Sequence, residues 1–155
     1  MRFEREQLLH ALRVERVADA LAGQDFDSAD ALVEAAMDVA TPLSEDEIDE
    51  ALAAHPRIGE RASGEGAEAR FSRAEQAASD DADEQLAEQL REGNERYEAQ
   101  FGRVFLIRAA GRDRRDIVEE LERRLLNDPA EETEETAEQL RQIAAARLRE
   151  IGQSA

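Results

Sequence analysis

Apolar residues recur along this chain at steps of three and four, the interval that lays one stripe along a helix. Alternating Val/Ile/Thr runs bounded by turn residues, the mark of half-buried strands, are missing. Leu8, Leu9, Leu12, Val17 and Leu21 open the helical series, and Gly23 follows as a stop. A second helix is predicted over 28–40, with Ala31, Leu32, Ala35, Ala36 and Val39 on one face, and Pro42 ends that unit. Ser44-Glu45-Asp46-Glu47 reads as a capping box that opens a helix carrying Ile48, Ala51 and Leu52 and delivering His55.

Residues 59–71, rich in Gly, Ala, Ser and Glu, read as a connector or a lid, and Ser72 begins a short helix. A longer helix over 81–101 lines up Leu86, Leu90, Tyr97 and Phe101. The run Val104-Phe105-Leu106-Ile107 is apolar without helical period, and Gly111 closes it, which predicts a buried extended connector. Two more helices are expected, over 113–126 on Ile117, Leu121 and Leu125, and over 130–151 on Ala137, Leu140, Ile143, Ala144 and Leu148. The pattern therefore predicts an all-α fold, a single compact multi-helix domain over 1–155 with short loops and one buried extended connector.

Composition agrees with that picture. A chain of 155 residues fits one domain and can bury roughly 68–70% of its unfolded surface. Only 4% of residues are aromatic, and much of the apolar remainder is alanine, which favours close helix packing. The 38 acidic residues outnumber 20 basic ones, all of them arginine, for a formal net charge of −18. Such a surface repels phosphate backbones and anionic membranes, so neither nucleic acid nor a membrane is expected as a partner. Cysteine is absent, which excludes disulfides, thiolate nucleophiles and cysteine-ligated zinc. The first residues lack the apolar core of a signal peptide, and no run approaches a membrane span, so a cytoplasmic protein is expected.

Three places could carry chemistry, and each has a plainer reading. His55 precedes Pro56, which disfavours the α region for the residue before it. The imidazole either terminates the helix and complements its dipole, or serves as a general acid or base, since it titrates near neutrality. Ser72 and Glu75 fit a capping box, although the first turn of a helix also offers unpaired N–H groups to a substrate anion or carbonyl beside Glu75 and Gln76. Arg147 is either a solvated residue or a clamp for a carboxylate. His10, among charged neighbours, reads as a surface residue.

Taken in order, HPRIGER at 55–61, FSRAEQA at 71–77, NERYEAQFGRVFLIRAAGR at 94–112, RRLLND at 123–128 and QIAAARL at 142–148 form one pattern. The chain resembles the 2-oxo-4-hydroxy-4-carboxy-5-ureidoimidazoline (OHCU) decarboxylase family, from about Leu43 to the C-terminus. The resemblance implies an all-α fold and a cofactor-free, metal-free decarboxylation of OHCU to (S)-allantoin in uric acid breakdown. It also implies a homodimer, with urate oxidase and 5-hydroxyisourate hydrolase as pathway neighbours. It makes His55 the catalytic histidine and Pro56 its neighbour in the pocket. Glu75 is then the residue that orients the imidazole or the ureido N–H groups, and Ser72 and Gln76 are substrate contacts. Phe105, Leu106, Ile107, Arg108 and Ala109 would form the extended segment whose backbone lines the site, and Arg147, two residues from Arg149, would hold the substrate.

Two rivals stand against this reading. A non-enzymatic helical interaction module could keep the fold, and its mark would be replacement of His55, Glu75 or Arg147, all of which are present. A metal-dependent hydrolase would need a histidine pair at ligand spacing, which two isolated histidines do not supply.

Overall fold

The structure, a computed structural model, describes residues 1–55 and 81–154, the side chains of 81–83 excepted. Among the described residues it contains seven α-helices and no strand, the all-α fold that the periodicity predicts. They are α1 (Arg5–Ala11), α2 (Glu15–Leu21), α3 (Ala29–Val39), α4 (Glu45–Leu52), α5 (Asp81–Phe101), α6 (Arg114–Arg124) and α7 (Pro129–Ser154). The chain divides into two compact units, one made of Met1–His55 with Thr133–Ala155, the other of Pro56–Glu132.

In the first unit, the opening helical pattern does not form one helix. It breaks between α1 and α2, where Leu12 (φ −145°, ψ 113°) and Val14 (φ −129°, ψ 110°) are extended. The reason is burial. The break turns both Leu12 and Val14 inward, at 4% and 0% exposure, while Arg13 between them stays in water. Burying a side chain of that size stabilises by roughly 1.5–3 kcal/mol, more than the weak helix propensity of three residues can oppose. Gly23 follows α2 with φ 78°, at the predicted stop.

Helix α3 starts where expected, with Ser28 Oγ accepting from the Ala31 N–H at 3.0 Å, and it buries Leu32, Val33 and Ala36. Its last carbonyls are met by α7, where the buried Arg141 donates to the Ala40 carbonyl at 3.1 Å while holding Glu134 and Glu138. The close approach of these helices requires Gly152, since a Cβ there would meet the Ala29 Cβ at 2.6 Å.

In the second unit, α5 and α6 pack around Leu90, Tyr97, Phe105, Ile107, Ile117, Leu121 and Leu125. Asp113 caps α6 through a box with Asp116. Of the stretch predicted to be a buried extended connector, Phe105, Leu106 and Ile107 are buried and lie outside regular secondary structure. Gly102 (φ 73°) and Gly111 (φ 78°) bracket it, because the chain leaves α5 and turns toward α6 through left-handed conformations that a side chain would strain. Among the described residues no helix is long and apolar enough to cross a membrane.

Candidate active site

His55 reaches its position through a short run of local determinants. Ser44 and Glu47 form the predicted capping box, with Ser44 Oγ accepting from the Glu47 N–H at 3.1 Å and Glu47 Oε1 accepting from the Ser44 N–H at 3.0 Å. Arg16 on α2 then grips the same carboxylate with two N–H groups, at 2.5 and 3.2 Å. This fork is the main cause that holds the Glu47 carboxyl below its ordinary pKa. Ile48, Ala51 and Leu52 bury the inner face of α4, and His55 lies one turn beyond its end, its N–H donating to the Leu52 carbonyl at 2.9 Å.

The imidazole is half-buried and its two nitrogens differ. Nδ1 lies 3.0 Å from the Ala51 carbonyl, which can only accept, so in the neutral ring the proton resides on Nδ1. Nε2 is buried and, among the described residues, has no hydrogen-bond partner. Such atoms are uncommon in folded proteins, and an unpaired lone pair of this kind is a base without its proton donor. Burial holds the His55 pKa below the ordinary imidazole value. The Ala51 carbonyl opposes that shift, and the positive charge of Arg147 adds to it. The ring is therefore neutral near pH 7.

Arg147, on α7 in the same unit, is thus brought within electrostatic reach of His55. Its guanidinium donates to the His10 carbonyl at 3.4 Å, and among the described residues it has no carboxylate partner. In a chain with 38 acidic residues that is informative, because neighbouring arginines are occupied. Arg149 lies 3.9 Å from Asp30 in an exposed pair, and Arg141 holds two glutamates. Arg147 and Arg149 thus differ in their partners, although they lie two residues apart. The Arg147 contact also gives His10 a part that its side chain does not suggest, through its backbone carbonyl.

Pro56, Ser72, Glu75 and Gln76 lie outside the described residues, as does the 59–71 segment. In the second unit, Phe105, Leu106 and Ile107 are buried, and Arg108 and Ala109 are exposed. One feature of that unit escaped the sequence reading. Arg124, 1% exposed, binds the Glu132 carboxylate through Nε at 2.9 and 3.1 Å and donates through Nη1 to the Leu106 carbonyl at 2.7 Å. Glu132 also accepts from the Tyr97 hydroxyl and from Asn127 Nδ2. RRLLND and NERYEAQ carry Arg124, Asn127 and Tyr97, but Glu132 sits in an acidic run where nothing marks it as buried.

On this all-helical frame the first unit thus holds an imidazole nitrogen without a partner and, within its electrostatic reach, a guanidinium with no carboxylate partner among the described residues. Among the described residues no group of histidine, aspartate and glutamate side chains could hold a metal ion. The family model for OHCU decarboxylase matches residues 4–149, nearly the whole sequence, and the chain belongs to that family. It is a carboxy-lyase of uric acid degradation, converting OHCU to allantoin.

Two solved structures share the fold. One, an OHCU decarboxylase crystallised in the presence of (S)-allantoin, superposes with a TM-score of 0.79 at 22% identity, covering 97% of this chain and 99% of the other. The second, an (S)-allantoin synthase, gives a TM-score of 0.66 at 22% identity over 93% of this chain and 48% of its own, so this chain spans about half its length. No curated protein sequence matches this chain significantly.

Proposed function

We propose that His55 is the acid–base catalyst of the decarboxylation and that Arg147 binds an anionic group of OHCU. The observation that carries this reading is the buried Nε2 of His55, left without a partner while Nδ1 is held by the Ala51 carbonyl. The substrate carbon that loses CO₂ bears a hydroxyl and a carboxylate. When the C–C bond breaks and CO₂ leaves, the electron pair moves into the ring C=N, whose nitrogen takes up a proton, leaving an enol. A proton then reaches the adjacent carbon while the hydroxyl proton leaves, and the carbonyl of allantoin results. Neutral His55 takes the hydroxyl proton through Nε2. Glu75 orients the imidazole or the ureido N–H groups, and Pro56, Ser72, Gln76 and the backbone of 105–109 supply further substrate contacts, by their correspondence to the family pattern.

The product is (S)-allantoin by correspondence to the family, and a proton delivered within a fixed site reaches one face only, which accounts for a single enantiomer. The family pattern further supports one functional domain over 1–155, a cytoplasmic homodimer, and urate oxidase and 5-hydroxyisourate hydrolase as the enzymes that supply the substrate. The test is to add the purified protein to freshly generated urate-oxidation intermediates and follow the chirality of the allantoin formed. Rapid accumulation of the (S) enantiomer is expected, and racemic product at the uncatalysed rate overturns the proposal.

A further inference from the structure

We propose that Arg124 is a positioning residue for the reaction, acting by pinning the 104–107 segment at the Leu106 carbonyl. This rests on the reading that the segment contacts substrate. Phe105, Leu106 and Ile107 are buried, yet among the described residues the segment belongs to no helix or sheet, so its peptide groups are not paired by regular secondary structure. Arg124 meets one of them directly, at 2.7 Å. The same guanidinium lies 4.6 Å from the Phe105 ring centroid and 5.9 Å from that of Tyr97, and the two rings stand edge to face at 5.3 Å. One planar cation thereby holds both the backbone and a side chain of the segment.

Glu132 keeps that cation in place. Its carboxylate takes the Nε and Nη2 donors, which leaves Nη1 aimed at the carbonyl, and its remaining capacity is filled by Tyr97 and Asn127. A lysine could neutralise Glu132 but lacks the rigid fork needed to reach the carboxylate and the carbonyl together. A hydrophobic pair in the same space would serve stability equally well. What the ion pair adds is a fixed direction for one donor, and hence a fixed depth for Phe105, Leu106 and Ile107.

The experiment compares the wild type with Arg124→Met/Glu132→Gln, which removes both charges so that neither is buried alone, and with Arg124→Lys, which keeps the charge opposite Glu132 and serves as the second variant should the double variant fail to fold. Hydrogen-exchange mass spectrometry is read on the 102–111 region, and kcat and KM are measured on the same folded samples. We expect faster exchange across 104–107 and a fall in kcat on the order of 10²-fold with a smaller change in KM, the result of a misplaced contact distant from the chemistry. A merely structural role would leave kcat per folded molecule at the wild-type value. That result, or unchanged exchange, overturns the proposal. A wild type without turnover overturns the reading of the reaction instead, and the exchange rates still decide whether Arg124 holds the segment.

Discussion

His55 and Arg124 are both polar side chains drawn away from water, and the protein treats them in opposite ways. Arg124 engages a carboxylate, a backbone carbonyl and two aromatic rings. His55 has one nitrogen engaged and the other buried without a partner. A buried group left without its hydrogen bond costs about 1–3 kcal/mol, so folding alone favours the first arrangement. The second is the arrangement expected under the proposed role, in which substrate supplies the missing partner. The contrast between a saturated Arg124 and an open His55 nitrogen is what the proposed roles of the two residues predict.

The strongest way to break that contrast is His55→Asn, which keeps size and hydrogen-bonding capacity but cannot titrate. Turnover should fall by about 10²–10⁴-fold, the usual range for a general acid–base group, with the melting temperature little changed. Rates near wild type in a folded variant would return His55 to the role of helix terminator. On the other side of the comparison, Arg124→Met alone leaves Glu132 as an uncompensated buried charge and should cost about 3–5 kcal/mol of stability in denaturant titration. A loss below about 1 kcal/mol would show that the pair is no more than an exposed salt bridge.

Arg147→Gln sharpens the assignment on the open side. Losing one charge-assisted contact of about 1.5–3 kcal/mol should lower kcat/KM by about 10- to 150-fold, whereas Arg149→Gln should leave it nearly unchanged. Equal effects of the two substitutions would dissolve the distinction that the pairing of Arg149 with Asp30 supports.

The smallest expected effect is on pH. Burial holds the folded-state pKa of His55 below the unfolded value of about 6.5. As pH falls through about 6.5 the unfolded chain takes up the proton first, so the contribution of neutral His55 to stability is complete above that value and is lost toward the lower folded-state pKa. The melting temperature of the wild type should therefore decline over this window relative to His55→Asn. The acid limb of the kcat/KM profile should have its midpoint below about 6.5, and a midpoint above it would mean that His55 is not the group being read.

Sequence periodicity was sufficient for most of the helices, because one apolar stripe and a capping residue determine a helix locally. Ser28, Ser44 and Asp113 cap α3, α4 and α6 with residues that lie next to them in the chain. The buried run Phe105, Leu106 and Ile107 was legible for the same reason, as an apolar stretch without a helical period closed by a glycine. The break between α1 and α2 was not, since Leu12 continues the helical stripe and only the packing partners of Leu12 and Val14 make an extended backbone worth more than another turn.

The site divides along the same line. The amino-acid sequence by itself determined that an imidazole stands before a proline at a helix end, and in what order the family's motifs follow. Tertiary structure decided that Nε2 of His55 is buried without a partner among the described residues, whereas the Ala51 carbonyl that holds Nδ1 is a local contact four residues back. It decided that, among the described residues, Arg147 meets the His10 carbonyl and no carboxylate while Arg149 lies near Asp30, because that depends on which groups the helices bring near. It also made Glu132 a buried anchor rather than one more exposed acid. Burial and pairing are properties of through-space neighbours, and in a chain with 38 acidic residues and 20 arginines the sequence does not say which of them meet.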